Sequence, residues 1–198
     1  MQPHTIIFIG PQGSGKGTQI EKLKDVIEAH DPRRRVVDIQ TGRRFRALAA
    51  KQETFAEQKI ARTLDSGHLQ PDFLTAVLWG QAMVDHLDPK NHLLIDGFPR
   101  TVVQAEGLEG ALEFFERTEL TIINLDTPET VVRARMLERA RPDDTPASID
   151  ARLKWFREET IPVVEYYEQR EHTRVINVDG TESIMGVHRE ILRALHLG

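Results

Sequence analysis

The chain contains no cysteine, and its apolar runs are short. Without a thiol it can form no disulfide, thiolate metal site, iron–sulfur cluster or cysteine nucleophile. The apolar run near the amino terminus, Ile6–Ile9, is far below the roughly 20 residues that a membrane-spanning helix needs. No basic segment precedes that run, as one would in a secretory signal. These absences predict a cytoplasmic protein with no membrane partner.

Positive charge is also in short supply. The 198 residues carry 26 Lys and Arg against 31 Asp and Glu, which gives a formal net charge of −5. That balance disfavours a nucleic-acid binder, whose affinity comes largely from phosphate contacts. The bases are nevertheless mostly arginine, 19 against 7 lysines, and the guanidinium group forks onto phosphates and carboxylates.

Short apolar runs alternate with amphipathic segments along the chain. Strands are predicted at Thr5–Ile9, Arg35–Ile39, His92–Ile95, Leu120–Leu125 and Arg174–Val178. Helices are predicted between them, including a long one from Thr145 to about Arg170, and the stretch from Arg43 to Asp65 is predicted to be mostly helical. This alternation predicts an α/β fold with a five-stranded parallel sheet and helices on both faces. Because such sheets bind ligands at the carboxyl ends of their strands, functional residues are expected just after each strand.

A glycine-rich loop follows the first predicted strand and opens the first helix. It reads Gly10-Pro11-Gln12-Gly13-Ser14-Gly15-Lys16-Gly17-Thr18. The backbone N–H groups of such a loop bind phosphate, and the lysine reaches the outer phosphates. The strict motif has Ser or Thr directly after the lysine, whereas here Gly17 stands there and Thr18 follows. A dinucleotide-binding loop is disfavoured, because the third glycine of its pattern would fall on Thr18.

The loop resembles that of the adenylate kinases and their nucleoside monophosphate kinase relatives. Other segments are similar to motifs of this family and follow in the same order: Thr41-Gly42 with Arg46, Gly67–Asp72, Asp96–Thr101 with Gln104, Arg141–Asp144 with Arg152, and Val178–Thr181. The resemblance implies a single P-loop kinase domain over residues 1–198. It implies a helical NMP-binding insertion over approximately 41–72 and a very short lid over approximately 140–147.

The resemblance also implies an activity, the reversible transfer of a phosphoryl group from Mg·ATP to AMP to give two ADP. It implies catalytic roles for Lys16, Arg100, Arg139, Arg141 and Arg152. The implied ATP-binding residues are Gly13, Ser14, Gly15, Lys16, Gly17, Thr18, Arg135, Gly180 and Thr181. The implied AMP-binding residues are Thr41, Gly42, Arg46, Leu69, Gln70, Gly97, Arg100 and Gln104. Such transfer depends on positioning and electrostatics more than on covalent chemistry.

The resemblance implies Mg²⁺ as the cofactor, held through water by Asp96. Asp143 and Asp144 would anchor Arg139, Arg141 and Arg152 when the lid closes. No zinc is expected, because only Ala140 separates Arg139 from Arg141 and the chain has no cysteine. A monomer is expected, because one chain supplies both nucleotide pockets.

Two further departures from the family pattern concern the acceptor nucleotide. Arg43 stands where the family usually has Asp, and we expect it to serve the anionic acceptor or to widen the choice of acceptor. Gln70 stands where the family often has Val, next to the acceptor base. These departures leave open a kinase for dAMP, GMP, CMP or UMP, or a nucleotide-sensing module without turnover. Gln104 favours AMP, because its amide can pair with the adenine edge.

Overall fold

The computed structural model describes residues 2–198 and is built on a five-stranded sheet. Its strands are β1 (Thr5–Ile9), β2 (Val36–Gln40), β3 (His92–Asp96), β4 (Leu120–Asp126) and β5 (Thr173–Asp179). All neighbouring strands pair in parallel, in the order β2-β3-β1-β4-β5. The predicted parallel sheet is confirmed, and each predicted strand end lies within one residue of the observed end.

Helices connect the strands. They are α1 (Lys16–His30), α2 (Thr41–Lys51), α3 (Phe55–Asp65), α4 (Asp72–His86), α5 (Val102–Phe114), α6 (Glu129–Arg139), α7 (Pro146–Trp155), α8 (Ile161–Glu168) and α9 (Ile184–Ala194). None of the helices between residues 2 and 198 combines the length and the apolar character that crossing a bilayer requires.

Successive apolar side chains of β1 point to opposite faces of the sheet, so the core has two layers. Ile7 and Ile9 pack on one face of the sheet with residues of α4, α5 and α8. Ile6 and Phe8 pack on the other face with residues of α1 and α9. Successive side chains of a strand point to opposite faces, so a strand covered on both sides is apolar at every position. The helices therefore lie on both faces, as predicted.

The stretch from Arg43 to Asp65 is mostly helical, as predicted, but two helices occupy it, and the sequence did not indicate the break between them. Gln52 ends α2 with a left-handed backbone, φ 54°. Thr54 then caps α3: its hydroxyl accepts from the Glu57 N–H at 3.2 Å, and the Glu57 carboxylate accepts from the Thr54 N–H at 2.9 Å. This reciprocal capping box satisfies two of the free N–H groups at the start of a helix, and it fixes the second helix as a separate element.

The prediction of one continuous helix from Thr145 to about Arg170 needs a similar correction. Thr145 caps α7 as predicted, but a π-helical turn, Phe156–Thr160, separates α7 from α8, which ends at Glu168. Pro162 lacks the N–H that would bond to the carbonyl of Glu158, so a regular helix cannot run through this point unbroken.

Candidate active site

The glycine loop turns directly at the carboxyl end of β1. Gly10, Gly13 and Gly15 have φ values of 143°, 91° and 101°, in the range that favours glycine. A Cβ added to Gly10 would lie 2.8 Å from the carbonyl oxygen of Leu125. No side chain caps the start of α1, so its first N–H groups remain available for an anion.

The Lys16 ammonium rests on this loop. It donates to the carbonyl oxygens of Gly10 at 2.7 Å and Pro11 at 2.8 Å. Burial lowers the pKa of Lys16 to about 8, although the nearby carboxylate of Asp96 acts in the opposite direction. A phosphate at the loop would stabilise the charged ammonium and give it a stronger partner than the two carbonyls.

A cavity of about 430 Å³ opens in front of the loop. It is lined by the loop, the start of α1, the start of α2, the end of β3, and Arg139 and Arg141 at and just beyond the end of α6. Its cations outnumber its carboxylates: they are Lys16, Arg43, Arg46, Arg100, Arg139 and Arg141, against Glu21 and Asp96. The predicted residues Gly13, Gly15, Gly17, Thr18, Gly42 and Gly97 also line it. Such an excess of positive charge suits a polyanion.

The arginines of this cavity are held close together. Burial lowers the pKa of Arg100 to about 10, and the neighbouring Arg152 and Arg46 contribute to that fall. The pKa values of Arg46 and Arg141 are also lowered, by burial first and then by neighbouring arginines. Concentrated positive charge of this kind is relieved by an anionic ligand.

Arg100 is positioned by the π-helical turn and the helix before it. Its guanidinium lies 5.1 Å from the centre of the Trp155 ring, and its carbonyl accepts from the Thr160 hydroxyl at 3.0 Å. Trp155 lies in α7, far from Arg100 in the sequence. A cation over an indole ring is attracted to its face, so this tryptophan supports the arginine directly.

Two carboxylates beside α7 hold two arginines of the site. Asp144 accepts from Arg139 at 2.7 and 3.0 Å and from Arg152 at 2.7 Å, and Asp143 accepts from Arg152 at 2.5 Å. Arg141 reaches Asp144 only through its backbone N–H, at 3.3 Å. Arg141 itself lines the first cavity.

A second cavity adjoins the first and collects the predicted AMP-binding residues. All of them line it: Thr41, Gly42, Arg46, Leu69, Gln70, Gly97, Arg100 and Gln104. Arg152 and Asp143 line it as well. The two cavities share Gln12, Gly42, Arg46, Gly97 and Arg100. Two ligands in these cavities would therefore meet over the same pair of arginines.

Gly97 allows the start of α2 to lie close to the end of β3. Its φ is 87°, and an added Cβ would lie 2.6 Å from the hydroxyl oxygen of Thr41. Any other residue here would push α2 away from the end of β3. This close approach explains the glycine in the Asp96–Thr101 segment.

The amide of Gln104 is fixed by two neighbours. Its oxygen accepts from the backbone N–H of Arg100 at 2.9 Å, and its nitrogen donates to the Asp72 carboxylate at 2.7 Å. An N–H can only donate and a carboxylate can only accept, so the orientation of the amide is determined. One N–H and one lone pair of Gln104 remain for a ligand. The sequence analysis missed the role of Asp72, which lies 32 residues away in the chain.

Several predicted donor-side residues lie outside both cavities. Arg135 donates to the carbonyl oxygen of Gly180 at 2.8 Å, and the Thr181 hydroxyl donates to Asp179 at 2.7 Å. The structure thus brings Arg135, Gly180 and Thr181 together, but not at the cavity walls. Ser14 is buried within the loop and lines neither cavity.

Arg43 does not take the place expected for it. It lines the first cavity and not the second, and its guanidinium pairs with Glu21 of α1. The expectation that Arg43 serves the acceptor is therefore not supported by its position. Glu21, which the sequence analysis did not single out, neutralises it instead.

The insertion formed by α2 and α3 touches α7 across the site. The Trp155 indole donates to the Gly67 carbonyl at 2.8 Å, and a Cβ added to Gly67 would lie 2.8 Å from the Cα of Ser148. Gly67 has a φ of 74°. A glycine is thus needed where the α3–α4 connection approaches α7.

Asp96 is the carboxylate best placed for a hydrated cation. It ends β3 in register with Phe8 of β1, lines the first cavity, and one of its oxygens is buried without a hydrogen-bond partner. Within residues 2–198, no three His, Asp or Glu side chains are grouped to ligate a metal directly. A single carboxylate fits a cation that keeps most of its own water, as Mg²⁺ does.

Comparison with known proteins agrees with this geometry. The family model described as "Adenylate kinase" matches residues 8–172. The chain is 36% identical over 190 residues to an adenylate kinase of Corynebacterium urealyticum, covering 96% of this chain and 98% of the relative. It is 38% identical over 177 residues to adenylate kinase 1 of a Nostoc species, covering 89% and 91%. An adenylate kinase of a Cyanothece species is 36% identical over 190 residues, covering 94% and 92%.

Proposed function

The chain belongs to the adenylate kinase family, and from that premise we propose how its own residues perform the reaction. The enzyme transfers a phosphoryl group reversibly from Mg·ATP to AMP and forms two ADP. The observation that carries this assignment is the shared wall of the two cavities, where Arg46 and Arg100 face both. A kinase for another monophosphate and a sensing module are not favoured by the family or the relatives.

The donor nucleotide is held by the glycine loop. Backbone N–H groups from Gly13 to Thr18 and the Lys16 ammonium would bind its phosphates, and Lys16 would exchange its two loop carbonyls for phosphate oxygens. Arg135, fixed by the Gly180 carbonyl, would lie over the adenine, with the backbone near Thr181 at its edge.

The acceptor nucleotide occupies the second cavity. Arg46 and Arg100 would fork onto its phosphate, and Trp155 holds the Arg100 guanidinium in place. Leu69, Gln70 and Gln104 would surround the base, since all three line the cavity. Thr41 and Gly42 would form the wall at the start of α2.

Transfer is favoured by alignment and by charge. Holding two reactants in line can supply on the order of 7–11 kcal/mol of barrier reduction. Arg139 and Arg141 line the cavity and Arg152 lies beside Arg100, so together they would neutralise the charge that develops on the transferring oxygens. Asp144 positions Arg139 and Arg152 before the ligands arrive. No residue has to act as a general base.

Mg²⁺, when bound with ATP, supplies charge neutralisation and orientation of the phosphates. Asp96 would hold it through water, which its unpartnered buried oxygen permits. We propose no zinc, because the lid is too short for a metal-binding loop and has no cysteine. We further propose a cytoplasmic monomer whose partners are ATP and AMP, with no nucleic acid or membrane.

A chromatographic product assay tests the function. Purified chain and Mg·ATP are incubated separately with AMP, dAMP, GMP, CMP and UMP, beside a tube without acceptor and a Lys16→Ala control. We expect ADP to form fastest with AMP and to be lost in Lys16→Ala. A faster reaction with another base would reassign the acceptor, and bound ATP with no transfer to any acceptor would support a sensor.

A further inference from the structure

An unpaired side-chain oxygen is carried by a residue that lines the acceptor cavity. It belongs to the side chain of Gln70, in the connection between α3 and α4, which is only 8% exposed and lines the second cavity. The Gln70 amide nitrogen donates to the carbonyl oxygen of Ile60 at 3.1 Å. The amide oxygen is buried and has no hydrogen-bond partner among residues 2–198.

The orientation of this amide follows from its neighbour. The Ile60 carbonyl can only accept, so it must face the NH₂ group, and the oxygen is left on the other side. A buried acceptor without a donor is unfavourable, and most buried polar groups in folded proteins have a partner. A hydrogen-bond donor at the oxygen of Gln70 would therefore be favourable, and the described part of the chain does not provide one.

Gln104 shows which donor would fit. Its amide is fixed by Arg100 and Asp72, which leaves one N–H for a ligand. In the same cavity, Gln104 thus offers a donor and Gln70 an acceptor. A 6-aminopurine presents the complementary pair, an acceptor at N1 and an exocyclic amine at C6. A 6-oxopurine presents the opposite pair, a donor at N1 and an acceptor at C6.

We propose that the side-chain oxygen of Gln70 accepts a hydrogen bond from the exocyclic amine of the acceptor base. Gln70 is then a specificity-determining residue that favours 6-aminopurine monophosphates over 6-oxopurine monophosphates. The proposal rests on the function proposed above. It assigns to the Gln70 side chain a contact that a valine at this position could not make.

The test compares two acceptors that differ only at C6. AMP carries the amine, and purine riboside 5′-monophosphate carries a hydrogen. For each, kcat/KM is measured at saturating Mg·ATP in the unaltered chain, in Gln70→Met and in Gln58→Met. The last variant is a matched control, because Gln58 lies on the exposed side of α3 and bonds only to the carbonyl of Gln52. The readout is the ratio of the two kcat/KM values, which cancels any general damage to the enzyme.

We expect Gln70→Met to lower the preference for AMP by about three- to tenfold, the range of one neutral hydrogen bond. Gln58→Met should leave the ratio unchanged. If Gln70→Met does not fold, Gln70→Val serves in its place and should show the same fall. An equal loss for both acceptors, with the ratio unchanged, would overturn the proposal and leave Gln70 as a purely structural partner of Ile60.

A third variant separates the acceptor role from the contact with Ile60. In Gln70→Glu, burial favours the protonated carboxyl, whose hydroxyl can donate to Ile60 while its carbonyl oxygen still accepts. The preference for AMP should then stay within about twofold of the unaltered chain, and a fall as large as in Gln70→Met would contradict the proposal. Absence of ADP formation from AMP by the unaltered chain would overturn the proposed function itself. AMP turnover with an insensitive ratio would overturn this inference alone.

Discussion

Replacing Asp144 by asparagine removes one negative charge from the centre of the arginine cluster and keeps the shape of the side chain. The carboxylate is fully buried and accepts from Arg139, from Arg152 and from the backbone of Arg141. An amide can accept at only one of its two ends, and its NH₂ group would face a guanidinium donor. The variant therefore loses bonds and leaves positive charge uncompensated.

The loss of stability can be bounded from these contacts. Breaking a buried ion pair by removing one partner costs about 3–5 kcal/mol. Here the Arg139 side chain is 28% exposed and Arg152 keeps its bond to Asp143, so part of the charge remains hydrated or paired. We expect Asp144→Asn to lower the free energy of unfolding by about 2–3 kcal/mol at neutral pH, and to lower kcat by more than it changes the KM for AMP.

The pH dependence has a definite sign. Burial alone would raise the pKa of Asp144, but the hydrogen bonds and charges of Arg139 and Arg152 lower it below its usual value. A carboxyl with a depressed pKa contributes stability above its unfolded pKa, about 3.9, and loses it as the pH falls through the folded pKa. The difference in the free energy of unfolding between the unaltered chain and Asp144→Asn should thus be largest near neutral pH and should shrink below about pH 4.

The assay is urea unfolding at several pH values, with Asp150→Asn as the matched control. Asp150 lies in α7, the helix that follows Asp144, pairs with Arg133 at the surface, and has a side chain that is 63% exposed, so its loss should cost under about 1 kcal/mol. Equal destabilisation by Asp144→Asn and Asp150→Asn, or a difference that does not shrink in acid, would refute the role given to Asp144.

Three further outcomes are expected. Because the pKa of Lys16 is lowered to about 8 by burial, calorimetric affinity for Mg·ATP should fall about fivefold from pH 8 to pH 9 as the ammonium is lost; a flat profile would contradict this. Gly67→Ala should lower the free energy of unfolding by more than about 1 kcal/mol, because the φ of Gly67 is 74° and Ser148 leaves no room for a Cβ. Gly110→Ala should raise it by about 0.5–1 kcal/mol, because Gly110 lies on α5 with open space around it. Equal melting temperatures for the two variants would contradict both expectations. The short lid should permit ATP hydrolysis without acceptor, and a phosphate-release rate no higher than that of a long-lid relative would count against it.

The strands and the site residues that follow them could be predicted from the sequence. β1 is buried at every position and apolar from Ile6 to Ile9 because it is covered on both faces, and that apolar run is visible in the sequence without coordinates. The glycine loop follows β1 and Asp96 ends the neighbouring strand β3, so the parallel sheet brings them together. The positions of both cavities therefore follow from the order of elements along the chain.

The helix breaks depended on local geometry that helical periodicity does not record. The stop at Gln52 is a backbone conformation, and Thr54 can cap a helix only once that stop has occurred. The π-helical turn before Pro162 arises from one missing N–H within an otherwise helical stretch.

The residues that hold the site's side chains in place could not be predicted from the sequence, for a different reason. Asp72 and Trp155 act on Gln104 and Arg100 from distant segments, and their local sequence does not show which residues they contact. The pairing of Arg43 with Glu21 is likewise a tertiary contact that the sequence did not indicate.

The most direct test of the central claim is the reverse reaction with a single nucleotide. The chain is incubated with Mg²⁺ and ADP alone, and the products are separated and quantified. The account predicts equal amounts of ATP and AMP, formed only when Lys16 is intact, because one ADP must occupy each cavity with its phosphates over Arg46 and Arg100. Unchanged ADP, or AMP with inorganic phosphate and no ATP, would contradict it.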